Sequence, residues 1–474
     1  MVFLMPWESN TKEENQVETL RDWNEECAVV GVYNADTAAS VAYYSLFSMQ
    51  HRGQEASGIS SSTGEKLITI KDRGLVTAVF GDDKLKKLKG RSAVGHNRYS
   101  TAGEDSILDA QPVFARYDLG EIAIVHNGNL TNAKQIREDL IQKGAIFQSF
   151  MDTENLIHLI AKSQKEKLID RIIDAVHKIE GAYSLIFLSR KKMFAIRDPH
   201  GFRPLSLGRI KNSDGSFGYM VASETCAFDL VGAEYIRDVE PGEMLVFEAE
   251  GEPRSYKIFE KQPRPCIFEF VYFARPDSRV FGHNVYEVRK NMGQELAREK
   301  PIEADMVIPV PDSGVAAAIG YARESGIPFE LGIVRNHYVG RTFIEPTQQS
   351  RELKVKLKLN PIKELIQGKR LIVIDDSIVR GTTSRQIVRI LRAAGAKEVH
   401  MKISSPPTIS PCYYGVDTPD KSQLICANMT LEETCRFIEA DSLSFLSLEG
   451  LRRSIQCDER ELFCQACFDG KYIV

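Results

Sequence analysis

Up to residue 247 the chain reads as short apolar runs separated by polar, glycine-spaced loops. Cys27-Ala-Val-Val-Gly-Val-Tyr33 and Pro241-Gly-Glu-Met-Leu-Val-Phe247 predict strands. Helical spacing near 36–50, 132–143, 153–165 and 168–179 predicts helices between them. That mixture suits a sheet-on-sheet core flanked by helices, an α+β domain. Residues 249–264 are charged, carry Pro253 and Pro263 and run into Pro265, which marks a linker. From Cys266 onward strands alternate with helices, the pattern of an α/β domain. Ala304 to Gly314 reads as a strand ending in a tight loop, followed by a helix over 315–325. Leu371 to Ile374 is wholly apolar and β-branched in part, as a central parallel strand covered on both faces must be. The helix after it places Ile387, Ile390, Leu391 and Ala394 on one face. Residues 1–26 are polar and acidic with no period that would bury a face, so they predict a removable leader. The expected domains are therefore 27–255 and 256–474.

Composition narrows the partners. Of 474 residues 43% are hydrophobic and 27% charged, enough for two or three domains with ample core. A formal charge of −4 and a pI near 6.2 give no electrostatic reason to expect nucleic acid or a membrane surface. No apolar run approaches a membrane span, and the N-terminus lacks the basic region of a secretory signal. A cytoplasmic protein is expected. The nine cysteines are odd in number and scattered, which argues for a nucleophile, a metal site and buried thiols rather than a disulfide frame.

The first candidate chemistry follows the Leu371–Ile374 strand. Asp375 and Asp376 fall at its carboxyl end, where open α/β sheets bind ligands. Arg380, Gly381, Thr382, Thr383 and Ser384 then offer N–H groups and hydroxyls at a helix start, an anion site. Paired carboxylates beside such a cradle could hold ribose hydroxyls or Mg²⁺; a solvated turn is the plainer reading. The stretch Arg370 to Ser384 resembles the signature of type I phosphoribosyltransferases, which use phosphoribosyl pyrophosphate (PRPP). The resemblance implies a pyrophosphate loop at Pro311-Asp-Ser-Gly314, with Ser313, Asp375 and Asp376 serving Mg²⁺. It also implies that Arg335-Asn-His-Tyr-Val-Gly-Arg-Thr-Phe-Ile344 is a loop closing over PRPP, with Arg335, Tyr338 and Arg341 touching substrate. His337 departs from the usual basic residue there.

The second lies in the N-terminal half. A cysteine opening a buried strand can be simply a core residue. Here Cys27 is followed by Gln50-His-Arg-Gly-Gln-Glu-Ala-Ser-Gly-Ile59, Gly95-His-Asn-Arg-Tyr-Ser-Thr-Ala-Gly103, His126-Asn-Gly-Asn-Leu130 and Asp152-Thr-Glu154. Together these resemble the class II glutamine amidotransferase domain of the N-terminal nucleophile hydrolases, whose fold is an αββα sandwich. The resemblance implies Cys27 as nucleophile, Asn127 and Gly128 as oxyanion donors, Arg98 on the glutamine carboxylate and Asp152 on its ammonium. His51, His96 and His126 read as loop supports. The implied general base is the α-amine of Cys27, which exists only if the leader is cut after Glu26. Arg197-Asp-Pro-His-Gly-Phe-Arg-Pro204 and Ala222-Ser-Glu-Thr-Cys-Ala-Phe-Asp229 also match and read as structural turns and packing.

Cys464-Gln-Ala-Cys467 has a spacing shared by zinc, redox and iron–sulfur sites. With Cys266 and Cys412 it completes a set resembling the cluster-bearing branch of the glutamine PRPP amidotransferases, which implies a 4Fe-4S cluster. Structural zinc is the alternative, and Cys457 could replace one ligand. Cys226, Cys426 and Cys435 read as buried thiols. The expectation is an enzyme taking PRPP, glutamine and water to 5-phosphoribosylamine, glutamate and pyrophosphate. Purine nucleotides are the expected feedback inhibitors, and the family implies a homo-oligomer, a tetramer. An amidotransferase sharing only the first domain would lack the Asp375–Ser384 signature. A PRPP-binding regulator of transcription would need a basic DNA-binding appendage that no segment supplies.

Overall fold

A computed structural model describes residues 26–99, 107–248, 251–336, 359–416, 418, 420–456 and 462–474. The leader before Glu26, and with it most of the expected propeptide, lies outside the described residues.

The N-terminal domain is a sandwich of two antiparallel sheets. The seven-stranded sheet runs, in spatial order, Glu234–Asp238, Ser206–Lys211, Phe217–Ala222, Glu26–Tyr33, Ser92–Tyr99, Ala56–Ser62 and Leu67–Arg73. The six-stranded sheet runs Arg254–Lys257, Glu243–Phe247, Met193–Arg197, Gly181–Ser189, Gly120–Leu130 and Val113–Tyr117. Strand periodicity explains the layering. In the Glu26–Tyr33 strand Val29 faces the other sheet, meeting Val125, Ile186 and Leu188. Its neighbours Ala28, Val30 and Val32 face outward, under Ala38, Ala42 and Leu46 of helix Ala38–Ser48. In the Gly120–Leu130 strand Ala123 and Val125 point inward. Ile122 and Ile124 point outward, under Leu156, Ile160, Ile172 and Val176 of helices Thr153–Lys162 and Leu168–Val176. Both sheets are thus covered on both faces, the αββα order expected.

The region expected to be a linker is only partly one. Arg254–Lys257 adds an edge strand to the second sheet, paired antiparallel with Glu243–Phe247, so the expected boundary at 255/256 cuts through it. Its exposed, charged side chains disguised it, as edge strands often are.

The C-terminal domain holds a four-stranded parallel sheet in the order Met306–Pro309, Arg370–Asp375, Glu398–Ile403, Ser442–Phe445. Leu371 and Val373 pack under Ile387 and Leu391 of helix Thr382–Ala393. Ile372 and Ile374 face Met292 and Tyr321 of helices Val285–Glu299 and Val315–Ser325. Two-sided burial is why this strand is apolar at every position. The core on that second face continues into the first domain through Phe202 and Ala182 and includes Cys266, Cys412 and Cys464. Among the described residues no helix is long and apolar enough to cross a membrane.

Candidate functional site

In the N-terminal domain Cys27 is fully buried and directly opposite Arg98 in the antiparallel pairing of Glu26–Tyr33 with Ser92–Tyr99. Opposed residues of such a pair share a face, so the Cys27 and Arg98 side chains leave the sheet on the same side. Arg98 also lies 3.7 Å from Asp109. Asn127 is fully buried and its Nδ2 reaches Ser223 Oγ at 3.5 Å. Gly128 has φ +139°, and a Cβ built there would lie 2.1 Å from the Ala182 carbonyl. Only glycine fits, because the Ala182 carbonyl fills the side where a side chain would stand. Asp152 is buried and already engaged: Oδ1 lies 3.2 Å from His126 Nδ1, and Oδ2 accepts the Leu130 N–H at 3.0 Å. Burial would push its carboxyl up, but His126, the Leu130 N–H and the Thr153 hydroxyl outweigh this and hold it below the ordinary value. Of the three histidines expected to support loops, His96 and His126 lie on strands and His51 on a short helical turn, and each is hydrogen-bonded. His51 meets Glu224 at 2.8 Å, His96 meets the His126 carbonyl at 3.0 Å, and burial lowers His96 to about 3, so it is neutral.

In the C-terminal domain Asp375 ends its strand and Asp376 follows, both buried. Burial and then the charge of Asp376 push Asp375 well up. Asp376 is also raised, by burial, against the pull of the Ser313 and Ser377 hydroxyls and Arg289. Two neighbouring carboxyls without a compensating cation should behave so. Gly381, at φ +74°, caps helix Thr382–Ala393, and Thr382 and Thr383 are exposed at its N-terminus while Ser384 is buried. This is a phosphate cradle in form. Arg380 donates to Gln423 at 3.0 Å, and Arg335, ending strand Ile333–Arg335, pairs with Asp312 at 2.5 Å across the predicted pyrophosphate loop. Tyr338, Arg341 and His337 lie outside the described residues.

The structure adds a group that sequence reading left among packing residues. Arg52 Nε donates to the Cys27 carbonyl at 3.1 Å. Its Nη1 donates to Glu224 at 2.7 Å and to Glu269 at 2.9 Å, and Nη2 donates to Glu269 at 2.8 Å. Arg203 Nη2 stands 2.7 Å from the same Glu269. All four side chains are at most 2% exposed. Burial would raise both carboxyls, yet His51 and Arg52 hold Glu224 down, and Arg52 and Arg203 hold Glu269 down. Glu269 sits on the helical turn Glu269–Phe273, whose Phe270 carbonyl accepts from Arg289 at 2.8 Å, and Arg289 in turn feels Asp376. The signal was legible: a carboxylate inside Ile-Phe-Glu-Phe-Val-Tyr-Phe must find a partner or not be buried.

Cys266, Cys412, Cys464 and Cys467 converge. Cys266 and Cys464 form a parallel backbone bridge, and Cys467 accepts from the Ile409 N–H at 2.9 Å, close to Cys412 in sequence. Burial raises Cys266 to about 12 and pushes Cys464 and Cys467 well up, with the other thiols of the set adding to each shift. Among the described residues no three His, Cys, Asp or Glu side chains are gathered as for one metal ion. Four thiols, three of them buried, are the donor chemistry that a thiolate-ligated group requires. Cys457 lies outside the described residues. Cys226 is buried as expected, whereas Cys426 and Cys435 are only half-buried, at the rim of the core under Ile387 and Ile438.

The sequence pattern of the glutamine amidotransferase domain matches residues 96–229, and that of the phosphoribosyl transferase domain matches 283–404. The chain is 51% identical over 451 residues to amidophosphoribosyltransferase 1, chloroplastic, of Arabidopsis thaliana, covering 95% of this chain and 79% of that protein. Among solved structures it resembles an allosteric regulatory enzyme of purine biosynthesis, with TM-score 0.89 and 48% identity over 94% of this chain and 96% of that one. The glutamine PRPP amidotransferase from B. subtilis, complexed with ADP and GMP, superposes with TM-score 0.88 at 48% identity, covering 94% and 97%.

Proposed function

The chain belongs to the amidophosphoribosyltransferase family, and we propose that Cys27, Asn127 and Gly128 work in its glutaminase half while Asp375 to Ser384 work on PRPP. The reaction takes glutamine, PRPP and water to 5-phosphoribosylamine, glutamate and pyrophosphate, the committed step of purine synthesis. The observation that supports the assignment is the cross-strand pairing of Cys27 with Arg98, which puts on one face of the sheet the two side chains proposed as nucleophile and carboxylate anchor. The Cys27 thiolate attacks the glutamine side-chain carbonyl, and the Asn127 amide and Gly128 N–H receive the oxyanion. Collapse expels ammonia, and water then hydrolyses the thioester. Arg98 holds the substrate carboxylate. Asp152 serves the ammonium either directly or, since it is already bonded to His126 and Leu130 N–H, by holding that wall of the site. With Cys27 at the N-terminus after cleavage behind Glu26, its α-amine accepts the thiol proton.

At the second site the Thr382 and Thr383 hydroxyls, the helix N-terminus and Ser384 grip the 5-phosphate of PRPP. Arg335, Tyr338, Arg341 and Arg380 meet its remaining phosphates. Ammonia attacks the ribosyl carbon as pyrophosphate departs. Ser313, Asp375 and Asp376 would hold Mg²⁺, which when bound neutralises charge on the leaving pyrophosphate; a site with two carboxylates completed by substrate oxygens suits that ion. Cys266, Cys412, Cys464 and Cys467 would hold a 4Fe-4S cluster, joining the start and the tail of the second domain. Iron and sulfide should be present in equal amounts and be lost in Cys464→Ser; stoichiometric zinc without sulfide would overturn this. The B. subtilis enzyme's ADP and GMP support purine nucleotides as inhibitors here, and the family resemblance implies a homo-oligomer, a tetramer.

Amide-¹⁵N glutamine with PRPP tests the whole: labelled 5-phosphoribosylamine, glutamate and pyrophosphate should form in equal amounts. Intact mass of the active protein should begin at Cys27. Glutamine hydrolysis without PRPP turnover under any condition would sink the two-site reading.

A further inference from the structure

Arg203 is the largest fully buried side chain among the described residues, and this mechanism does not use it. It is 0% exposed, with Phe273 against its guanidinium at 5.5 Å from the ring centroid. Its Nη2 is 2.7 Å from Glu269 Oε1 but not aligned as a hydrogen bond, and Nε and Nη1 have no hydrogen-bond partner among the described residues. A buried guanidinium with idle donors is costly. One ion pair does not explain a five-donor fork placed in such a position.

Its neighbourhood says where the donors go. The carbonyl of the preceding residue, Phe202, accepts the Cys266 N–H at 3.1 Å. The Phe202 ring stacks on Tyr414 at 4.3 Å, and the Tyr414 N–H donates to Cys412 Sγ at 3.3 Å. Backbone and ring thus tie position 203 to both thiol segments. Besides Glu269, the sulfurs of Cys266 and Cys412 lie near enough to act on the Arg203 charge.

Resting on the cluster assignment above, we infer that Arg203 donates its free N–H groups to the cluster's sulfur, at Cys266 and Cys412, and compensates the charge of the bound group. It is a positioning residue. Its other end holds Glu269, which Arg52 shares, and Arg52 reaches the Cys27 carbonyl. Thiolate ligands carry negative charge into a buried site, and hydrogen bonds to sulfur are among the levers that set a cluster's potential.

The test uses the wild-type holoenzyme labelled with [¹⁵N]arginine. Pulsed electron paramagnetic resonance of the reduced cluster should show coupling to a guanidinium nitrogen, and Arg203→Lys should abolish it. In Arg203→Met, the midpoint potential should move to more negative values, because a lost positive charge favours the oxidised state. A full complement of iron and sulfide without arginine coupling overturns the inference but leaves the cluster assignment intact. Protein without iron and sulfide overturns both. If Arg203→Met does not fold, the labelled wild type and Arg203→Lys decide alone.

Discussion

Gly128→Ala is a small change aimed at the oxyanion side of the glutaminase site. The new methyl would sit 2.1 Å from the Ala182 carbonyl oxygen and 3.1 Å from His126 Nε2, at a φ of +139°. An ordinary carbon contact is about 3.5 Å, so the backbone must move by roughly 1 Å or the strand must part from Gly181–Ser189. The unfavourable φ adds about 1–3 kcal/mol, which a domain with about 5–15 kcal/mol of stability can bear. The oxyanion donors cannot tolerate the shift so easily. A misplacement of about 1 Å costs on the order of 10²-fold, and losing one donor costs about 10²–10³-fold in kcat. Because the oxyanion exists only in the transition state, kcat should fall far more than KM for glutamine rises. Steady-state glutaminase measurements, paired with PRPP turnover on added ammonium, check this. Synthesis from ammonium should survive, since the PRPP site is built by the other domain. A folded variant with nearly normal glutaminase would refute the placement of the oxyanion beside Gly128.

Cys27→Ala should abolish synthesis from glutamine and keep synthesis from ammonium; equal loss of both in a folded protein would defeat the division of labour. Asp375→Asn and Asp376→Asn should each lower synthesis from either nitrogen source by about 10²-fold or more while glutaminase remains measurable, and normal PRPP turnover in both would make the pair structural. Arg52→Met should cost about 3–5 kcal/mol in denaturant unfolding, because it removes the guanidinium that two buried carboxylates share and leaves Glu269 to Arg203 and Glu224 to His51, and unchanged stability would show that the network is not shared. Glu224 and Glu269 are held below their ordinary value of 4.5, so the stability they supply is present above that pH and is lost as pH falls through their depressed values; Arg52→Met should flatten this acid limb of the stability profile.

What the sequence made legible follows from how each feature is written into it. Local features were readable. The strand Arg370–Asp375 is apolar because both faces are covered, and Gly128 stands where a neighbouring strand comes within reach of its Cβ. The helices over Ala38–Ser48, Ala133–Gln142, Thr153–Lys162 and Leu168–Val176 arise within one or two turns of chain and came close to their expected bounds. Non-local features were not. Arg52 and Glu269 are 217 residues apart, and no spacing rule links them. The edge strand Arg254–Lys257 pairs on one side only and carries the charged side chains of a linker. Asp152 also meets His126 and accepts the Leu130 N–H, a geometry that no motif writes down.

The network at the domain junction also constrains how the two sites can communicate. A buried ion pair is weak evidence for stability, because desolvation offsets much of its attraction. It is better evidence for a single docking geometry, since any displacement of the domains would part Glu269 from both Arg52 and Arg203 in an apolar surround, while Glu224 keeps His51 and Arg52. The links from the Cys27 carbonyl through Arg52 and Glu269 to the Phe270 turn and Arg289 are short, buried and mutually satisfied, so they are poor places for large motion. The groups free to move at low cost are the exposed ones: Asp312 with Arg335, Arg380 with Gln423, and the hydroxyls of Thr382 and Thr383. PRPP binding must therefore reorganise the rim of the C-terminal site against a fixed junction. Whatever reaches Cys27 arrives as strain or charge carried by Arg289 and Glu269, not as a rotation of one domain over the other.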